Sequence, residues 1–293
     1  MSQEIIMLGT AVLVGSASGA DASIWGMYKD AAHEGFAWPR FWRSVVIGAS
    51  AALFIQLVLH LSLPRPSAVL LLFGLAYAAE RGVVETWKTF FRDEDQAKYA
   101  IPMQFSLRGI PVKHRGARVA AGVGYIGALV LAGWLISRFD AGTPTLLRAA
   151  VAGFMVGLVI AVGGAWKDAP VEGFETLKFF RSPILTTSFS VLLFPLADSV
   201  LLAAAASIGY ERAASENYKT FFFPSRPRGK FAGKPVTHPE MLQNRRRFVP
   251  AYVAIRLGLA WCMASVLLES APCAATSQSC TTPVAQVSQR RVP

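Results

Sequence analysis

Apolar runs of near-bilayer length alternate with polar connections along this chain. A helix rising 1.5 Å per residue needs roughly 20 mostly apolar residues to cross about 30 Å of hydrocarbon. Eight stretches approach that length: 5–26, 44–63, 67–86, 118–138, 146–166, 183–197, 198–216 and 248–269. The sixth is short and stands between Pro183 and Pro195, which predicts a helix that tilts, ends early or forms part of a hairpin. The first run is read as a membrane helix rather than a signal peptide, because Glu4 and no Lys or Arg precedes it. The expected fold is an all-α polytopic membrane protein of about eight transmembrane helices.

Composition agrees. The 293 residues are 53% hydrophobic and 16% charged, where soluble domains carry about 25% charged residues. Disorder, collagen, coiled coil and a disulfide scaffold are excluded on the same grounds. The net charge of +11 suggests an anionic membrane face as partner rather than nucleic acid. Position sharpens this, since 23 of the 29 Lys and Arg fall in the connections 1–2, 3–4, 5–6 and 7–8 or at their helix ends. The positive-inside rule then places those connections in the cytoplasm of a bacterial inner or plasma membrane, with both termini outside. Cys273 and Cys280 fall on the outer side, in a tail (271–293) that reads as disordered, either as a small disulfide loop or as free thiols. Cys262 reads as packing within the last helix.

The polar blocks occur twice. At a shift of 138, Gly15–Ser44 lies over Gly153–Ser182 without a gap, and 12 of the 30 positions are identical; chance gives about two. A second block, at a shift of 131, pairs Glu80-Arg81, Glu85 and Lys88-Thr89-Phe90-Phe91 with Glu211-Arg212, Glu216 and Lys219-Thr220-Phe221-Phe222. A third, at 124, pairs Gly109-x-Pro111-Val112-x-His114 with Gly233-x-Pro235-Val236-x-His238. Three blocks in one order predict two four-helix units, 5–140 and 145–270. Four is even, so both units would enter the membrane the same way round, as parallel repeats. Ala11, Gly15 and Gly19 recur as Ala149, Gly153 and Gly157, a small-residue strip that suggests close packing of helices one and five near the pseudo-two-fold axis.

All three blocks fall at the basic end. Their carboxylates and histidines are candidate catalytic groups: Glu34, Glu80, His114, Glu172, Glu211 and His238. Oxygen ligands of this kind suit a hard divalent ion such as Mg2+, and a histidine there can move a proton near neutral pH. The candidate ligand-binding set is Lys29, Asp30, Arg43, Arg81, Lys88, Lys167, Asp168, Arg181, Arg212 and Lys219, whose cations suit phosphate oxygens. Arg81 and Glu85, four apart, can pair on one helix face, whereas Glu80 and Glu85 diverge. The same charges equally suit interlocking ion pairs that fix helix ends. Trp38, Phe41, Trp42, Trp87, Phe90, Phe91, Phe179, Phe180, Tyr218, Phe221 and Phe222 form the expected interfacial aromatic belt.

Few ionisable residues fall deep in the spans. Asp21 in helix one and Arg256 in helix eight are a candidate buried pair across the two halves. Gln56 and His60 lie in helix two, and His33 reads as interfacial. The basic segment 224–247 suits a loop on anionic lipid better than a nucleic-acid site. No Walker A loop, dinucleotide fingerprint, His-Glu-x-x-His or Cys-x-x-Cys pair occurs. These features predict a polar cytoplasmic-face site for an anionic, phosphate-bearing lipid or metabolite, in a lipid-modifying enzyme or lipid binder. The rivals are a pseudo-two-fold transporter or channel for an anionic solute and a non-catalytic membrane scaffold subunit. Oligomeric state is left open.

Overall fold

A computed structural model describes residues 2–96, 99, 103–107, 110–138, 145–222 and 231–270, with backbone alone at 2, 145, 167, 168, 170–172 and 270. Eight long helices dominate: α1 (Ser2–Glu34), α2 (Trp38–Leu59), α3 (Pro66–Thr86), α4 (Arg115–Arg138), α5 (Thr145–Glu172), α6 (Thr176–Leu193), α7 (Val200–Phe221) and, after a short α8 (Met241–Asn244), α9 (Val249–Ser270). Seven helical stretches are long and apolar enough to cross a membrane; α7 is not among them. With four charged residues in its second half, Glu211, Arg212, Glu216 and Lys219, α7 would be costly beside lipid and instead packs on α3, α5 and α6. The outward faces carry the opposite pattern, with Phe54, Val130, Trp134, Leu257 and Trp261 more than half exposed. Such apolar surface requires lipid around it. The chain is an all-α integral membrane protein.

The α1–α2 and α5–α6 corners show why the first repeated block has its form. Gly35 and Gly173 take positive φ values of 74° and 78°, and their N–H groups bond back to the carbonyls of Ala31 and Ala169. Glycine stops a helix in this way because the left-handed backbone carries no Cβ penalty there. The 33-residue α1 is about 50 Å long, so its Lys-Asp-rich end projects past the hydrocarbon.

Two expectations are corrected. The sixth helix does not begin at Pro183 but at Thr176, and Pro183 lies inside it. One turn on, the Thr186 hydroxyl donates to the Ser182 carbonyl at 2.8 Å and the Thr187 hydroxyl to the Pro183 carbonyl at 2.7 Å. The small-residue strips do not bring α1 against α5. A Cβ at Gly15 or Gly19 would run into α2 at Gly48 or Ser44, and one at Gly153 or Gly157 into α6 at Thr186 or Pro183. Each strip therefore seats its helix against the next one. The close crossing between the halves is made by α3 and α7, where a Cβ on Gly209 would fall on the Gly74 carbonyl. Beside it the Tyr210 hydroxyl donates to the Leu70 carbonyl at 2.9 Å.

Helix α9 packs on α3 and α1, and α4 packs on α7 and on the π-helical turn Trp87–Phe91 that prolongs α3, so each reaches helices distant in the chain. The connections do likewise. A hairpin, β1 (Ser106–Leu107) with β2 (Ile110–Pro111), takes a hydrogen bond from the Trp166 indole of α5 at 2.8 Å. Segment 231–240 closes the end of α1, where the Thr237 and His238 N–H groups donate to the Ala32 carbonyl.

Candidate functional site

Many charged side chains at the basic end form ion pairs with near neighbours in the chain, and Lys29 with Glu216 joins two helices. Lys29 of α1 reaches Glu216 of α7 at 2.7 Å, and Lys219 approaches the same carboxylate at 3.3 Å. Asp30 stands 3.8 Å from Lys29. The Lys29 ammonium also sits 4.5 Å from the Trp25 ring centroid, a cation–π position. Two ammonium groups and two carboxylates thus balance in a nearly water-free setting, which joins the ends of α1 and α7.

The two Glu-Arg pairs are built differently. Glu80 is fully buried in α3 and is held by both the Nε and the Nη2 of Arg81. Arg81 therefore takes its neighbour rather than the expected Glu85, which stands 3.6 Å from Lys88. Glu211 in α7, also fully buried, accepts instead from the hydroxyls of Ser182 at 2.7 Å and Ser215 at 2.9 Å. Arg212 stands off at 3.6 Å from Glu211.

Arg212 lines a half-open cleft between α5, α6 and α7. Its polar wall comprises Lys178, Arg181, Arg212, Lys219, Ser182 and Glu175. Among the described lining residues the cations outnumber the carboxylates, although Arg212 and Lys219 also approach Glu211 and Glu216 behind the wall. Gly164 and Gly173 line the opposite side, where missing side chains leave the room. Three of the expected ligand-binding cations, Arg181, Arg212 and Lys219, are thus brought together, and Lys178 joins them. The Arg181 Nε is buried and has no hydrogen-bond partner among the described residues.

Deeper in the membrane the expected Asp21–Arg256 pair is present. An Arg256 Nη2 donates to Asp21 Oδ2 at 2.7 Å, joining α9 to α1. Tyr77 is fully buried close by, and its hydroxyl accepts from the Trp25 indole at 2.6 Å. Trp25 in turn lies under Arg81 at 5.4 Å. A polar thread therefore runs from the Glu80–Arg81 pair down to Asp21.

The remaining candidates do not converge on one point. Glu34 ends α1, half-buried. His114 is exposed and accepts from the Ala117 N–H at 3.2 Å, capping α4. His238 lies over the bare Cα of Gly35 with Glu240 at 3.4 Å from its Nδ1. Arg43 is exposed on α2 and Lys88 is half-buried on the π-helical turn. The side chains of Lys167, Asp168 and Glu172, and the tail with Cys273 and Cys280, lie outside the described residues. Among the described residues no three His, Cys, Asp or Glu side chains gather as a metal site. His33, near the end of α1, is buried against segment 231–240, stacked 4.6 Å from Phe231 with its Nδ1 at 2.8 Å from the Pro235 carbonyl oxygen. Phe90 leaves the expected belt and is buried near Phe105 and Tyr125, whereas Trp38, Trp42 and Trp87 stay exposed.

Sequence reasoning missed Lys178, Tyr77, Ser215 and the buried Arg118, which takes Asp93 at 2.7 Å and the carbonyls of Val112 and Lys113. A signal existed for Lys178, since the 138 shift puts Arg40 opposite it and preserves the charge. Tyr77 and Ser215 carry no such mark in an apolar or mixed helix. Comparison with protein-family models, curated proteins and solved structures gives no match.

Proposed function

We propose that this integral membrane protein is a pair of parallel four-helix repeats that binds an anionic, phosphate-bearing lipid or metabolite at its cytoplasmic face. The observation that carries the reading is the cleft between α5, α6 and α7, where Lys178, Arg181, Arg212 and Lys219 line the wall and Glu175 is the one carboxylate among the described lining residues. Arginine and lysine bind phosphate oxygens by charge-assisted hydrogen bonds, and Ser182 adds a hydroxyl to the wall. The cleft lies where α5 and α6 leave the apolar belt, the depth at which a lipid headgroup sits. The duplication rests on the three repeated sequence blocks, and the reciprocal crossing of α4 and α9 supports it.

The test is native mass spectrometry of the detergent-solubilised protein titrated with dioleoyl phosphatidic acid, glycerol 3-phosphate and phosphatidylcholine. Saturable adducts with either phosphate monoester, absent with phosphatidylcholine, are expected, and the monoester that binds tighter identifies lipid or soluble metabolite. Equal, unsaturable adducts with all three sink the reading.

A second reading, transport of the anion, is favoured by the polar thread Arg81–Trp25–Tyr77–Asp21–Arg256, because ionisable groups at membrane depth mark substrate or proton paths. Proteoliposomes holding wild-type or Asp21→Asn protein distinguish it. Transport predicts flux of glycerol 3-phosphate that the substitution abolishes; wild-type liposomes as tight as protein-free ones refute it.

A further inference from the structure

Arginines gather at a second place, away from the cleft. Arg40 and Arg43 stand three residues apart in the first turns of α2, about 60° from each other around the helix, and so share a face. Both are exposed, and neither side chain makes a hydrogen bond or ion pair among the described residues. The charges that act most on Arg43 are Glu80, Arg81, Arg40 and Arg92. Glu80 is already held by both nitrogens of Arg81.

Arg92 follows the π-helical turn that prolongs α3 and is the buried member of the group, 8% exposed. Its guanidinium carbon lies 3.9 Å from the Tyr99 ring centroid, and its Nη2 donates to Gln96 Oε1 at 3.2 Å. Its Nε is buried and has no hydrogen-bond partner among the described residues, whereas buried donors are normally met by an acceptor. Arg40 and Arg92 also act on Tyr99, whose hydroxyl donates to the exposed Glu94 at 2.6 Å.

This combination of residues occurs in the first half alone. The 138 shift keeps the charges of Arg40 and Arg43 as Lys178 and Arg181 but puts Thr176 and Phe180 opposite Trp38 and Trp42; the 131 shift puts Phe223 opposite Arg92. Trp38 and Trp42, each more than half exposed, stack at 6.5 Å on the same turns as the two arginines. Exposed indoles settle at the headgroup depth of a bilayer, so the cations beside them meet lipid phosphate.

We infer that Arg40, Arg43 and Arg92 hold the phosphate of an anionic membrane lipid between the start of α2 and the end of α3. Guanidinium groups grip phosphate oxygens through parallel N–H donors, and the acyl chains follow the apolar outer face of α2, where Val46 and Phe54 are exposed. This site is separate from the α5–α6–α7 cleft and does not depend on the reading given to it.

Native mass spectrometry of the full chain with dioleoyl phosphatidic acid tests it, with glycerol 3-phosphate as the soluble comparison. Arg40→Gln/Arg43→Gln is expected to show one saturable phosphatidic acid adduct fewer than wild type, whether or not the cleft takes lipid as well. Lys113→Gln/Arg115→Gln removes the same charge from exposed positions at the start of α4, on the same basic side, and should keep the wild-type number. An unchanged adduct number in Arg40→Gln/Arg43→Gln, or equal losses in the two double variants, overturns the inference. Loss of a glycerol 3-phosphate adduct with every lipid adduct retained overturns it as a lipid site.

Discussion

Arg256 of α9 and Asp21 of α1 meet at 2.7 Å although 235 residues separate them in the chain, and the Asp21 side chain is wholly shielded. Neither charge has water to return to when its partner is lost. Removing one partner of such a pair costs about 3–5 kcal/mol, whereas replacing both with apolar groups is often neutral. Asp21→Ala and Arg256→Ala are therefore expected to lower the thermal unfolding midpoint strongly in detergent, and the double replacement Asp21→Leu/Arg256→Met to recover most of the loss. Additive losses in the double variant would show that the pair is not coupled.

The α3–α7 crossing depends on the absence of a side chain. Gly209→Val must force α7 away from the Gly74 carbonyl, and overpacking of this kind costs about 1–3 kcal/mol. It should broaden or abolish the monodisperse peak in size-exclusion chromatography. Gly82→Ala, also in α3 but with nothing within 4 Å of the added Cβ, should elute as wild type. Indistinguishable profiles for the two variants contradict the crossing.

Glu211 serves two buried hydroxyls, so the chemistry of its replacement decides the outcome. Glu211→Gln keeps a carbonyl oxygen for Ser182 and Ser215; Glu211→Ala leaves both unpaired, at about 1–3 kcal/mol for each buried group. Thermal denaturation should place Glu211→Ala well below Glu211→Gln. The reverse order would mean that the hydroxyls find other acceptors.

Sidedness is open to direct labelling. In a background with Cys262, Cys273 and Cys280 all replaced by Ala, Leu107→Cys in the β1–β2 hairpin and Ser62→Cys between α2 and α3 both place an exposed thiol in a connection. With the basic connections in the cytoplasm, a membrane-impermeant maleimide labels Ser62→Cys in spheroplasts and Leu107→Cys only after lysis. The opposite pattern inverts the proposed orientation.

The repeated residues divide into two groups. Gly35 and Gly173 are readable in advance, since a glycine after a Lys-Asp-rich helix end is a local stop signal that needs no partner. Asp21–Arg256 was readable for a related reason: two charges alone in apolar spans have few other options. Glu80 and Glu211 were not separable. They share a residue type, a following arginine and full burial, and they differ through Val84 against Ser215, positions that carry no charge and stand out in no pattern.

Apolar run length and the placement of cations are one-dimensional quantities set by bilayer thickness and charge desolvation, and the chain alone carries them. They specify an all-α membrane protein with its cations concentrated in alternate connections. Which helix each small-residue strip meets depends on how all the helices share a limited volume, so α1 turned out to seat on α2 and α3 to cross α7. The cleft likewise follows from packing. Its four cations come from α6 and α7, and only their neighbours in three dimensions determine which arginine is drawn into the core and which lines an open wall.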